Sequence, residues 1–333
     1  MPSGYAAHAD ALENIDYATE DAEALVRLGH WLHAQGYQFT TVTPATHGRV
    51  NARPGADRAH TLRDVFGWSR PFAGEPVPPD VLAVMRRGSL VEDSPGGMLR
   101  SKVRFSSIGG VLFAHSAYPT ADSDAVFFGP DTMRFAALIT DELTLLAVPH
   151  GARMLDMGCG AGPGGIVAAR CAATLRPQLV LADINLRALR FAGANAQLAG
   201  MAGVVFAQGD LFNAVDGDFD FIVANPPYLN DSAQRTYRHG GGDWGGALSE
   251  RIVREGLPRL APGGRLVLYT GAAIVRGADP MLDALREPLG ARGWPWRYHE
   301  LDPDVFGEEL VEPAYADAER IAAVALVVQR PRS

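Results

Sequence analysis

Two spacings of apolar residues divide this chain. Over its first hundred residues they recur at helical intervals, clearest in "DYATEDAEALVRLGHWLHAQG", where Ala22, Leu25, Leu28 and Leu32 share a face and Gly36 marks a stop. Two shorter helical patterns follow, "HTLRDVFGW" and "PDVLAVMRRG", on either side of a Pro/Gly-rich linker at 71–79. "LRSKVRFSSIGGVLFAHSAYP" then switches to runs that read as two strands around the Gly109-Gly110 turn. Helices followed by a hairpin suit either a small winged-helix-like module or a helical lid and linker. Residues 1 to about 15 read as frayed.

From about residue 130 strands and helices alternate, the signature of an open, mostly parallel α/β sheet. Seven strands are predicted: "RMLDMG", "QLVLADI", "VVFAQGD", "FDFIVANP", "RLVLYT", "RYHEL" and "IAAVALVVQ", with helices such as "NLRALRFAGANAQLAG" and "ALSERIVREGLPRLA" between them. Only the irregular, acidic stretch 303–319 separates the last two strands. It is too turn-rich for a crossover helix, so they are expected to form an antiparallel pair at the sheet edge. The division is thus an N-terminal helical and hairpin domain, 1–120, and an α/β domain, 121–333.

Composition narrows the setting. With 47% hydrophobic and 20% charged residues in 333, the chain reads as globular. A net charge of −8 argues against a large non-specific nucleic-acid surface. Lys102 is the one lysine, which excludes a lysine nucleophile elsewhere. Cys159 and Cys171 make no disulfide framework and cannot alone hold zinc, so no metal is implied. The acidic N-terminus lacks the apolar core of a signal peptide, and no stretch approaches the ~18 apolar residues of a spanning helix. These features predict a cytoplasmic protein that does not engage a membrane.

The candidate chemistry sits where the predicted strands end. "MLDMGCGAGPGGI" is a strand, a glycine-rich turn (Gly158, Cys159, Gly160, Gly162) and a helix start. Gly160-x-Gly162-x-x-Gly165 matches a dinucleotide fingerprint, so a nicotinamide enzyme is one reading. Asp156, just before the turn, favours instead a nucleoside ligand that carries a cation, since it would repel a pyrophosphate. Asp183, followed by Ile184, ends the second strand and can accept both hydroxyls of a ribose. Asp210, followed by Leu211, ends the third and can grip an adenine edge. A lone aspartate at such a place is more often a helix cap or turn former. Three at successive strand ends point to a ligand, because open α/β sheets bind theirs outside the carboxyl ends of strands.

The fourth strand delivers Asn225-Pro226-Pro227-Tyr228 to the same edge. Here the chain resembles the class I S-adenosylmethionine-dependent methyltransferases, and within them the amino-methylating group with an Asn-Pro-Pro-Tyr motif. The layout over about 100–330 is similar to that of the release-factor glutamine methyltransferases and their ribosomal-protein relatives. The resemblance implies a Rossmann-like methyltransferase sheet and S-adenosylmethionine as cofactor, held by Asp156, the glycine turn, Asp183, Ile184, Asp210, Leu211 and Asn225. It also implies methylation of a planar nitrogen. Such a nitrogen is a poor nucleophile because its lone pair is delocalised. The side-chain oxygen of Asn225 and the carbonyl of Pro226 can accept its two hydrogens, the prolines keep both aimed, and Tyr228 can stack on the flat group.

Other parts of the layout are similar but not the same. Pro130-Asp131-Thr132 stands where the family carries a Pro-x-x-Thr segment over the cofactor, which makes Phe128 and Arg134 candidates to contact methionine or substrate. The glycines around Trp244 suggest either a lid bearing one aromatic or a plain loop, and His239 reads as a turn residue. Strand five ends Leu268-Tyr269-Thr270-Gly271 where the family has Leu-Glu-x-Gly. The segment "DPDVFGEELVEPAYADAER" is foreign to the release-factor enzymes; its carboxylates (Asp302, Asp304, Glu308, Glu309, Glu312) read as a solvated loop or, less favoured, a site for a cationic substrate. A protein glutamine amide is the leading acceptor and a small metabolite the second. Amino methylation of adenine or guanine in DNA or RNA is disfavoured by the acidic charge. A sensor that binds the adenosyl group without turnover is the non-enzymatic alternative.

Overall fold

Helical spacing at Ala22, Leu25, Leu28 and Leu32 buries one face of α1 (Glu20–Ala34), whose first turn carries Glu20, Asp21 and Glu23 at the positive end of the helix dipole. The chain leaves it through Gly36 at φ 68°. The computed structural model describes residues 19–120, 122–231 and 235–332, so the stretch read as frayed lies outside the described residues. Three short helices follow: α2 (Pro44–Asn51), α3 (Leu62–Phe66) and α4 (Pro79–Arg87). The sequence reading missed α2, which Thr43 caps by accepting from the Thr46 N–H at 3.2 Å. It also missed the small ladder of β1 (Val91–Ser94) and β2 (Met98–Ser101). The predicted hairpin is present as β3 (Val103–Ile108) and β4 (Val111–Ser116) around Gly109-Gly110.

Helix α5 (Pro130–Leu145) leads into the sheet, and Thr132 holds its first turn by accepting from the Gly129 N–H at 3.2 Å. All seven predicted strands form: β5 (Arg153–Met157), β6 (Gln178–Asp183), β7 (Val205–Gln208), β8 (Phe219–Ala224), β9 (Leu260–Val275), β10 (Trp296–Asp302) and β11 (Ala318–Gln329). They lie in the order β10-β11-β9-β8-β5-β6-β7. The edge pair β10–β11 is antiparallel, as the missing crossover helix requires. Strand β11, which also pairs antiparallel with β9, is the one that runs against the rest. The connecting helices are α6 (Pro163–Cys171), α7 (Leu186–Leu198), α8 (Ala247–Gly256) and α9 (Pro280–Arg292).

Period-two patterning sorts the strand side chains into two cores. Along β8, Phe221 and Val223 join the core beneath α5 and α6, and Ile222 and Ala224 face α8 and α9. Phe219 departs from the alternation and joins the second core, where the pairing with β9 shifts register between Phe219 and Phe221. Along β9, Val267 and Tyr269 take the first side and Leu266 and Leu268 the second. The N-terminal elements are not a separate body of apolar packing. Leu25, Leu28 and Phe105 share a third core with Ala188, Phe191 and Ala194 of α7. Buried Asn195 reinforces that junction. Its amide accepts from the Ala114 N–H at 2.7 Å and donates to the carbonyls of Ala114 and Ala161, each at 2.9 Å. One side chain thus ties β4 to the glycine-rich turn ahead of α6.

Candidate active site

Asp156 is the penultimate residue of β5, buried under the turn that follows. Its carboxylate accepts from the Gly165 N–H at 2.7 Å, and burial pushes its pKa up to about 7, with the Asp183 charge adding to the shift. The turn itself needs glycine: Gly158, Gly160 and Gly162 all have positive φ, at 68°, 53° and 81°. A Cβ at Gly165 would meet Leu181 at 2.5 Å, so α6 packs tightly on the sheet and aims its first N–H groups at the strand ends.

Asp183 ends β6 and fixes that turn, accepting from the N–H groups of Gly160 and Asn185 at 2.8 Å each. Burial raises its pKa, opposed by those hydrogen bonds. Ile184 beside it is 57% exposed, an apolar surface left open at the same edge. Asp210 lies after β7, half exposed, and pairs with Arg251 at 3.0 Å. Leu211 follows at φ 48°, buried. All four line one cavity of about 420 Å³ with Asp156, Gly158, Cys159 and Gly160.

Asn225, Pro226, Pro227 and Tyr228 form the facing wall of the same cavity. Among the described residues none hydrogen-bonds the Asn225 side chain, which is only partly buried and keeps its amide oxygen for a ligand. The exit from β8 is braced from behind. Leu229 donates to the Arg238 carbonyl at 3.1 Å and Gly240 to the Leu229 carbonyl at 2.9 Å. A Cβ at Gly245 would strike the Tyr228 backbone, so the glycine-rich loop is packed support for the motif. Tyr228 is 7% exposed: its ring lies against Gly271, where a Cβ would clash, and meets the Phe306 ring edge-on at 5.9 Å.

Three sequence candidates stand elsewhere. Phe128 is a core residue, stacked on His115 at 4.8 Å, and its neighbour Phe127 lines the cavity instead. Arg134 does not line the cavity; it bridges Asp131 at 3.3 Å and Asp302 at 2.7 Å. Trp244 lines a second, smaller cleft with Gly271, Glu250 and Met281. Asp131 and Thr132 of the segment expected over the cofactor line the main cavity, and so do Phe127, Tyr237, Arg238, His239 and Phe306, which sequence patterning does not single out. Phe127 stacks on Tyr237 at 6.2 Å and 11°, and the acidic segment 302–319 brings Phe306 to the wall through Glu309, which pairs with Arg238, and the Tyr315 hydroxyl, which accepts from the Asn230 N–H at 2.8 Å. Asp302 and Glu309 are therefore engaged in internal ion pairs, while Asp304 and Glu308 are exposed.

The donor set fits S-adenosylmethionine. A buried carboxylate suits a cationic ligand end, Asp183 has lone pairs left for hydroxyls, and Ile184 offers an apolar face to a base. A family model described as the methyltransferase small domain matches residues 136–274. A release factor glutamine methyltransferase of Deinococcus radiodurans is 30% identical over 275 residues, covering 77% of this chain and 89% of that protein. A ribosomal RNA small subunit methyltransferase C of Chromohalobacter salexigens is 38% identical over 130 residues, 39% of this chain and 34% of that one; this chain spans only about a third of that relative's length. Among solved structures, the M. jannaschii tRNA m1G37 methyltransferase aligns with a TM-score of 0.45 at 15% identity, over 70% of this chain and 58% of that chain.

Proposed function

This chain belongs to the class I S-adenosylmethionine-dependent methyltransferases, and we propose that it methylates a planar nitrogen, with the side-chain amide of a protein glutamine as acceptor. One observation carries the reading: Asn225 follows β8 with an amide that none of the described residues hydrogen-bonds, in the cavity that also holds Asp156 and Asp183. Bound S-adenosylmethionine supplies an electrophilic methyl whose transfer leaves a neutral thioether. Asp156, the glycine turn and Asp183 would hold the cofactor, and Ile184 with Leu211 would cover its base. Asn225 Oδ1 and the Pro226 carbonyl accept the two acceptor N–H groups and turn the nitrogen lone pair toward the methyl. Once it carries the methyl, the acceptor nitrogen is acidic and would release one proton to solvent, so no strong base is needed before attack. Phe127 and Phe306 exclude water from the acceptor side.

The glutamine acceptor is supported by the relative that aligns along most of this chain. The ribosomal RNA relatives match a shorter stretch and support a second reading, the exocyclic amino group of a nucleobase. The test is incubation of the protein and its Asn225→Ala variant with radiolabelled S-adenosylmethionine and host lysate, followed by fractionation. Asn225-dependent label in protein is expected. Label confined to RNA or to small molecules would move the acceptor to that class, and equal labelling by both proteins would remove Asn225 from the reaction.

A further inference from the structure

The mechanism above makes no use of the buried acid at the start of α5. Asp131 is 4% exposed, lines the cavity, and accepts from the Tyr269 hydroxyl at 2.6 Å. Tyr269 stands on β9 at the place where the resembling family has a glutamate, and its own burial is complete. Arg134 touches the same Asp131 oxygen at 3.3 Å and reaches Asp302 at 2.7 Å. Asp302 begins the segment whose Phe306 meets Tyr228.

The Tyr228 ring is held by Gly271 and Phe306, and its hydroxyl end lies beside Asp131. The hydroxyl is buried and has no hydrogen-bond partner among the described residues. A buried, unpaired hydroxyl is costly, which makes its setting sensitive to the charge beside it. Burial, and after it the Asp131 charge, raise the Tyr228 pKa well above the ordinary phenol range. Burial likewise raises that of Asp131, opposed by the Tyr269 hydrogen bond and Arg134.

We propose that Asp131, gripped by Tyr269, is a positioning residue that fixes Tyr228 and through it the Asn225–Pro227 turn that orients the acceptor. Rested on the methyl-transfer reading of this cavity, the assignment explains why a tyrosine at 269 serves: it donates to the acid that faces the motif. It also explains why segment 302–319 is tied to the same acid through Arg134. A residue acting this way affects transfer more than cofactor binding.

The experiment uses Asp131→Asn and Tyr269→Phe, each checked for a folded state by thermal melting. In methyl transfer to a purified bacterial release factor, both variants are expected to lose about 10- to 100-fold in kcat. Their calorimetric Kd for S-adenosylhomocysteine should stay within about twofold of the parent. A second readout needs no acceptor. In protein labelled with 13C at tyrosine Cζ, the Tyr228 resonance, assigned by its absence in Tyr228→Phe, is expected to follow a carboxylate titration displaced above the ordinary carboxylate range. That titration should vanish in Asp131→Asn. A Tyr228 signal indifferent to pH and to Asp131→Asn overturns the proposal, as does undiminished kcat in both variants. If Asn225→Ala also leaves transfer intact, the reading of the cavity fails; if only the Asp131 and Tyr269 variants are silent, the positioning role alone fails.

Discussion

The two halves of the cavity are built in different ways. The cofactor half is made of strand ends and backbone: Asp156 and Asp183 each hold N–H groups of the glycine turn and its flanks, within β5, β6 and α6. The acceptor half is assembled from distant segments. Phe127 and Asp131 precede the sheet, Tyr228 follows β8, Tyr237 to His239 come from the next loop, and Phe306 arrives from beyond β10. A half fixed by backbone geometry suits one invariant ligand, whereas a half made of loops and inserts can change acceptor without disturbing the fold.

The sharpest way to break that division is Asn225→Ala. It should lower methyl transfer about 10²–10³-fold, the loss typical of one oriented polar group at a reacting centre, and leave cofactor affinity unchanged by calorimetry. If affinity falls with turnover, the halves are not separable. Next comes Asn195→Ala, which strips three buried hydrogen bonds from the junction of β4, α7 and the glycine turn. Chemical denaturation should show a loss of about 2–4 kcal/mol. A loss near zero would mean that the N-terminal elements do not support the cofactor half.

Asp183→Ala should weaken cofactor binding by about 1–3 kcal/mol, the cost of leaving buried hydroxyls unpaired, with little change in kcat at saturation. Equal affinity by calorimetry would reduce Asp183 to a brace for the turn. The smallest effect is in pH. Asp156 has its folded-state pKa raised to about 7, above its value in the unfolded chain. Its contribution to stability is therefore full at low pH and lost as pH rises through about 7. A cationic ligand favours the ionised form, so cofactor affinity should rise with pH by up to about tenfold per unit below about 7, with proton release on binding. Calorimetry in buffers of different ionisation enthalpy measures that proton, and Asp156→Asn should abolish the dependence.

Legibility in the sequence follows the same division. The seven strands, the glycine turn and the aspartates at three strand ends could be read because period-two patterning and strand-end ligand sites are local signals. Asn225 to Tyr228 could be read for the same reason. Phe128 misled because alternation along an irregular segment does not say which of two adjacent phenylalanines faces inward; Phe127 faces the cavity and Phe128 the core. Phe306 sits in a segment whose acidic composition reads as a solvated loop, and long-range ties, among them those to Arg134, Arg238 and Asn230, bring it to the wall. Tyr269 read as the loss of a family glutamate, and its bond to Asp131 spans 138 residues of chain that no local pattern connects.

The central claim is that the methyl goes to a planar nitrogen, and the chemistry of the labelled product tests it whatever the acceptor. Macromolecules from lysate labelled by the protein, but not by Asn225→Ala, are treated with mild alkali and the volatile label is counted. Label on an amide or amino nitrogen stays with the product, and that is the result expected here, with acid hydrolysis of labelled protein yielding labelled methylamine. Release as methanol would place the methyl on a carboxylate oxygen and contradict the account.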